Sequence, residues 1–480
     1  MGKLTLNSLL GKGLIVFGLI LIIYFFYTGK VTNGLIIASL PLFMVILVKL
    51  AVNPYIIFVS LFVYNYFVMG INRYIDVAQM GLLTDVLLVL ILFSLLMHTV
   101  FLKDIKWSYA KNGGFLLLTV WLVYCMFELV NPRAVTEAWV YSIRVAVYPV
   151  ATALFTALIF YKYKDFKLIL FLWSIFTLVA VVKLQMQVTF GFDPTEMRWI
   201  YQGDRKQLIF LQGSIRYFSI FTDPGNFGSN MGCAAVVFGI AAMYAKKRAL
   251  KIYYGIVGML GLYSMFVSGT RGALAVPFAG IFLFTLLTKN FKALIVSSLF
   301  IFGAYYFLAD TTIAQGNNYV RRMRTAFDPN EPSLMVRRQN QKTLGIYLHD
   351  KPFGEGLGLA GVESKRFANR VTTTIPSDSG YVKIWCQTGM VGLTLYLLLY
   401  MTIIGYGVYI ILFKIRDTEL RGFLSAILSG LFGMLASAYG NSIFTQYPTS
   451  ILMAMCVAFV FMGRKFDDEI EQYRLNSIQE

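Results

Sequence analysis

Val267-Ser-Gly-Thr-Arg-Gly-Ala-Leu-Ala-Val-Pro277 sets one arginine, Arg271, between apolar runs at about 252–268 and 272–288. A charge between two membrane spans with almost no loop around it is costly to place, so it asks for a partner. Outward from this stretch, apolar runs of about 17–25 residues recur along the chain, the length that crosses a bilayer as helix. The 480 residues are 58% hydrophobic and only 14% charged, with mean hydropathy +0.67. Soluble proteins carry about 25% charged residues, so the composition excludes an ordinary soluble fold. The reading is an all-α polytopic transmembrane helix bundle, a single integral membrane domain over residues 1–480, without internal repeats or a separate soluble domain.

Fourteen spans are expected. The first seven lie at about 13–28, 31–48, 54–70, 82–100, 114–130, 138–161 and 166–186; the others lie at about 225–245, 252–268, 272–288, 292–309, 380–413, 422–440 and 448–463. The opening run Leu14–Tyr27 lacks a small-residue cleavage pattern and is followed by more spans, so it reads as a span and not as a signal peptide. With the amino terminus inside, the termini and inner loops hold twenty-one Lys and Arg residues, among them Lys103, Lys162, Lys246, Arg248 and Lys414. The opposite short loops hold only Lys30, Arg73, Arg133 and Arg271. This is the positive-inside distribution. It accounts for most of the net charge of +18, leaves little room for a nucleic-acid partner, and turns Arg271 outward.

Two long connections, about 187–224 and 310–379, fall on the same outer side. Connections of this length in a compact protein are usually functional or disordered, and these hold aromatic, Gly-Pro and cationic elements. Within the second, Pro332 and Pro352 bracket Ser333–Lys351, where Leu344, Tyr347 and Leu348 recur at helical spacing. An amphipathic helix on the membrane surface is expected there, carrying Arg337 and Arg338. The four cysteines, Cys125, Cys233, Cys386 and Cys456, fall in apolar runs and read as packing residues. His98 and His349 are far apart, and neither a metal site nor a cofactor site is visible.

The outer side gathers cations. Arg216 and Asp223 stand at the membrane lip, Arg271 in its short turn, and Arg321, Arg322, Arg324, Arg337 and Arg338 in the second long connection. Pro376-Ser-Asp-Ser-Gly-Tyr381 then leads into the next span. Arginine suits bidentate contact with phosphate, being always charged and less strongly hydrated than lysine. Several at one membrane lip suit a diphosphate whose lipid tail stays in the bilayer. Plainer readings stand beside this one. Arg271 can cap or snorkel, Arg216 can pair with Asp223, and Arg321, Arg322 and Arg324 can be a solvated cluster. Asp378 can cap the helix starting near Ser379. Inside spans, Arg144 can pair with Glu128 and Lys183 can snorkel outward, although intramembrane cations also mark substrate sites. Pro352-Phe-Gly-Glu-Gly-Leu-Gly358 contains G-x-G-x-G but opens no βαβ unit, so a turn docking onto a span fits better than a nucleotide loop.

Three motifs carry a resemblance to the O-antigen ligase and polymerase superfamily, the membrane proteins of the Wzy and WaaL type. Ser268-Gly-Thr-Arg-Gly272 resembles its Ser-x-Ser/Thr-Arg-Gly turn. Ser333 to Arg337 with Lys351–Gly358 resembles its Ser…Arg…Pro-x-Gly-x-Gly block. Ser377-Asp-Ser-Gly-Tyr381 with Gly389-Met-Val-Gly392 resembles its His-Asn-x-x-Leu…Gly-x-x-Gly block. Arg216–Asn226 resembles the arginine segment before a span, and the likeness covers roughly 210–400.

The resemblance implies a GT-C-like membrane enzyme that transfers an undecaprenyl-diphosphate-linked oligosaccharide to a glycan acceptor without a metal. It places the site on the periplasmic side of a bacterial inner membrane, among membrane lipids, with a chain-length regulator or flippase of the same pathway as further partners. Where the ligases carry a histidine base, this chain has Asp378, which moves the expectation towards a polymerase. A ligase to lipid A core and a protein O-oligosaccharyltransferase are the alternatives. A flippase or transporter is the reading from another class, for which the inverted repeats are missing. The expected catalytic residues are Arg216, Arg271 and Asp378. Asp223, Arg337, Arg338, Tyr381, Arg144 and Lys183 are expected to bind substrate.

Overall fold

The computed structural model describes Tyr24 and residues 53–75, 81–202, 205–211, 214–288, 291–328 and 331–479. The expected spans at 13–28 and 31–48, with Lys30, lie outside the described residues. The described residues are all-α apart from the two-residue antiparallel pair Phe210–Leu211 and Ser214–Ile215. Its contacts divide it into two units, residues 1–60 with 85–105 and residues 61–84 with 106–480. In the first, His98 Nδ1 lies 3.0 Å from Asp104 Oδ2 just beyond a helix end. All the candidate site residues belong to the second.

Among the described residues, ten helices are long and apolar enough to cross a membrane. Two shorter apolar helices, Arg271–Leu287 and Leu294–Ala309, fall where spans are expected at 272–288 and 292–309. Helix is the form a lone apolar segment must take in a bilayer, because it satisfies every backbone polar group within itself. The chain is a multi-pass membrane protein. In the larger unit the Pro224–Tyr244, Thr418–Ser437 and Thr449–Gln479 helices form the enclosed centre. Helices in lipid gain little from burying apolar surface and associate instead through close packing of small residues. Gly261 of the Arg248–Val267 helix accordingly packs onto Met231 and Ala235, and Gly280 of the Ala275–Leu287 helix onto Ser429.

Two boundaries differ from the sequence reading. The expected span at 448–463 continues as one helix from Thr449 to Gln479. Its polar end is held because Asp467 accepts from the Arg416 and Asp417 backbone N–H groups, and Arg474 pairs with the buried Asp417. At 187–190 the Tyr163–Phe190 helix takes the first residues assigned to a connection and stops at Gly191.

The glycine-rich run 352–358 docks onto a span. The Gly380–Phe413 helix is interrupted at Gly389, whose φ of +63° leaves the preceding turn's carbonyls open. Glu355 and Gly356 donate their N–H groups to Cys386 and Gln387 O, both at 2.9 Å, and Val391 N donates to Pro352 O at 3.1 Å. A side chain at Gly389 would overlap Pro352 O. Glu355, almost fully buried, then accepts from Arg133 at 3.1 Å and Arg370 at 2.5 Å. The Pro332–Leu348 helix packs its Leu344, Tyr347 and Leu348 face onto protein: Leu344 and Leu348 are buried with Ala360 and Cys386, with Tyr347 and Trp385 against them.

Candidate active site

Two local structures make the floor. Asp223 caps the Pro224–Tyr244 helix, accepting from Asn226 N at 2.9 Å with Pro224 at the first helical position. Ser268–Arg271 closes the Arg248–Val267 helix through Gly269 in the left-handed region (φ +61°) and opens the Arg271–Leu274 turn. Thr270 joins the two, its hydroxyl donating to Pro224 O at 2.7 Å.

The arginines are built onto this floor. Arg216 Nη2 donates to Thr270 Oγ1 at 2.9 Å and Nη1 to Leu208 O at 3.2 Å, while its buried Nε–H has no acceptor. Arg322 Nε donates to Gly269 O at 2.5 Å. Arg271 Nη1 pairs with Glu331 Oε1 at 2.6 Å and donates to Thr325 Oγ1 at 3.2 Å. Arg337 Nε lies 3.4 Å from Asp378 Oδ2, both partly open to solvent. Burial, then Arg322, Arg271 and Arg337, pull the Arg216 pKa down from the ordinary arginine range to about 10 against the opposing pull of Asp223. Burial and then Arg271 depress Arg322 as well, with Glu331 opposing. The cations of this cluster thus work against one another.

Beside the cluster runs an apolar groove of ≈ 620 Å³ with Arg271 among its lining residues. Leu274, Phe278 and Phe282 line one wall from the Ala275–Leu287 side, and Ile301, Phe302 and Tyr305 the other. These are helical spacings on two facing helices. A polar head at Arg271 and a linear apolar tail along Phe278 and Phe282 would lie as the groove does.

Several sequence expectations change. Asp223 is a helix cap, and Arg216 takes Thr270 and Leu208 O in place of Asp223. Asp378 is not the cap of the next helix; Ser379 is, accepting from Val382 N, which leaves the Asp378 carboxylate facing Arg337. Glu128 accepts from Asn131 at 3.0 Å and does not pair with Arg144, which lies over the Tyr141 ring. Lys183 does not snorkel free: it pairs with Glu196 at 3.0 Å and Asp193 at 3.3 Å and reaches Tyr74 Oη at 2.8 Å. Tyr381 donates its hydroxyl to Leu435 O at 2.6 Å, a helix-to-helix contact. Arg338 is exposed on the Pro332–Leu348 helix.

The structure therefore brings Arg216, Arg271 and Arg337 with Asp378 to one place, and leaves Arg144 and Lys183 in other contacts. It also adds Arg322, which reads from sequence as one of three solvated arginines, and Glu331. A further addition is the short connection 438–448. Gly440 lies beside Arg337 and Gly272, and Ser442 donates to Ser377 O at 3.2 Å. Its only sequence signal is the polar Gly440-Asn-Ser442 triplet between two apolar runs. Among the described residues no group of three or more His, Cys, Asp or Glu residues is placed to hold a metal ion.

Residues 254–397 match the family model of the O-antigen ligase domain, Wzy_C. Over that segment the chain is similar to the O-antigen ligase/polymerase superfamily. Proteins of the family are membrane glycosyltransferase-like enzymes that handle lipid-linked glycans and their acceptors. The matched segment takes in Arg271, Arg322, Arg337 and Asp378, while Arg216, Asp223 and the 438–448 connection lie outside it. No curated protein and no solved structure matches the chain.

Proposed function

We propose that this O-antigen ligase-type protein is a polysaccharide polymerase. It joins a glycan carried on undecaprenyl diphosphate to the sugar hydroxyl of a second lipid-linked repeat unit. The reading rests above all on the convergence of Arg216, Arg271 and Arg322 beside an apolar groove that Arg271 helps to line. The diphosphate would lie on the arginines and the first part of its isoprenoid tail in the groove. In this reading the apolar runs make fourteen spans, the charge sorting turns the site outward, and the site lies, as the family resemblance implies, on the periplasmic face of a bacterial inner membrane.

In the reaction the acceptor hydroxyl oxygen bonds to the anomeric carbon, and the bond from that carbon to the diphosphate oxygen breaks. The electron pair leaves with the carrier-lipid diphosphate. Arg216 and Arg271 stabilise the charge gathering there, the largest contribution such a site offers. Asp378 orients the hydroxyl and takes its proton. The arginines supply the neutralisation a divalent ion gives elsewhere, so transfer should withstand a chelator. A carboxylate at 378, in the place where ligases of the family carry histidine, favours polymerisation over ligation to lipid A core. The glycan pattern of a deletion strain tests this: single repeat units on the acceptor support a polymerase. Long chains left on the carrier lipid would indicate a ligase.

A further inference from the structure

Close packing at the site also involves Asn441, which the family match does not reach. Its carboxamide is wedged between the two segments that make the floor. A Cβ added to Gly225, just after the Asp223 cap, would lie 2.9 Å from Asn441 Oδ1; one added to Gly272, just after Arg271, would lie 2.9 Å from Nδ2. Neither glycine has a positive φ, so what keeps a methyl out is the amide itself and, at Gly225, also Asp223 Oδ1 at 2.9 Å. A chain of hydroxyls closes the arrangement. Asn441 Nδ2 reaches Ser229 Oγ at 3.5 Å, Ser229 and Ser437 share a hydrogen bond at 2.9 Å, and Ser437 donates to Gly272 O at 3.0 Å. The carbonyl next to Arg271 is thus fixed by the same residues that hold the amide.

We propose that Asn441 is a positioning residue that sets the distance between the Asp223-capped helix start and the Arg271 turn, and so the spacing of the arginines that receive the diphosphate. The proposal rests on the lipid-diphosphate reading above. Asn441 gives the spacing without adding charge, whereas a longer or charged side chain there would force the segments apart or compete for the arginines. Gly272 is the complementary half: its missing methyl is the volume the amide occupies.

The test is a double-mutant cycle on the full-length protein in nanodiscs, with farnesyl diphosphate as binding probe and the thermal midpoint as a separate stability readout. Gly272→Ala should weaken probe binding about tenfold or more, against the roughly 100-fold that a misplacement of about 1 Å can cost. Asn441→Ala should also weaken it, by loosening the turn. Together the two should bind better than Gly272→Ala alone, because the new methyl fills the space the amide leaves, and that coupling is the signature of direct contact. Two single losses that multiply, or an Asn441→Ala variant that binds as wild type does, would overturn the positioning role while leaving the lipid-diphosphate reading intact. A wild-type protein that does not bind farnesyl diphosphate would overturn that reading and the positioning role with it.

Discussion

Replacing Arg271 with lysine isolates what its guanidinium contributes. Removal to alanine would be a poor experiment. Glu331, itself buried, accepts from Arg271 at 2.6 Å and caps the Pro332–Leu348 helix through Leu334 N at 2.9 Å. Stranding such a carboxylate costs about 3–5 kcal/mol, enough to lose the fold. Lysine keeps the charge and can still meet Glu331, but one ammonium cannot hold both that carboxylate and a phosphate with the parallel geometry of a guanidinium. One hydrogen bond between charged groups is worth about 1.5–3 kcal/mol. At about 1.4 kcal/mol per decade, Arg271→Lys should lower kcat/KM for the lipid-linked donor roughly 10- to 150-fold. The assay is transfer in proteoliposomes with donor concentration varied, beside a thermal midpoint held near wild type. Because an isoprenoid tail gains little on moving from lipid into a lipid-facing groove, affinity should come mainly from the head group, and the loss should be nearly the same for short- and long-tailed donors. Activity within about threefold of wild type at normal expression would refute a fork-like contact between Arg271 and the diphosphate.

Further variants test the other parts. Asp378→Asn leaves the Ser379 cap untouched, so transfer should fall at least about 100-fold, the lower end of what a positioned base contributes, with unchanged stability; an active variant would remove Asp378 from the chemistry. Gly389→Ala should abolish docking of the 352–358 run, seen as new protease sensitivity there, since the added Cβ overlaps Pro352 O and φ is +63°. The pH dependence follows from Arg216. Its folded pKa of about 10 lies below the ordinary arginine range, so above about pH 10 the unfolded chain holds a proton the folded one has released. That group's contribution to stability therefore rises with pH in this window while anion affinity falls as pH passes about 10. Both trends should be lost in Arg216→Gln and so stand out in the difference between wild type and variant, measured by thermal unfolding and probe binding from pH 8 to about 11.

The membrane class and the apolar helices from residue 54 onward are legible in the sequence because a bilayer forces apolar segments into helices of spanning length. The Ser268–Gly272 turn is legible for the opposite reason, as an expensive exception. Local chemistry misleads by single residues: Asp378 and Ser379 are both good caps, and only the backbone path decides that Ser379 faces Val382 N. Arg216 is drawn to Thr270 and Arg322 to the Gly269 carbonyl, contacts that cross 54 and 53 residues of chain. No periodicity encodes such contacts. Lys183 reads as a snorkelling cation because its partners, Glu196 and Asp193, lie on the next short helix and its cap, folded back beside it. Asn441 carries no charge and no motif, and its role is visible only once Gly225 and Gly272 are seen on either side of it.

The central claim is transfer from a lipid diphosphate at the arginine cluster. Purified protein in proteoliposomes, given an undecaprenyl-diphosphate-linked repeat unit as both donor and acceptor, should release undecaprenyl diphosphate in step with the appearance of two- and three-unit chains on the remaining lipid. Arg216→Gln should abolish both together. Elongation that proceeds undiminished in Arg216→Gln, or a wild-type protein that neither releases the carrier lipid nor extends the glycan, would contradict the account.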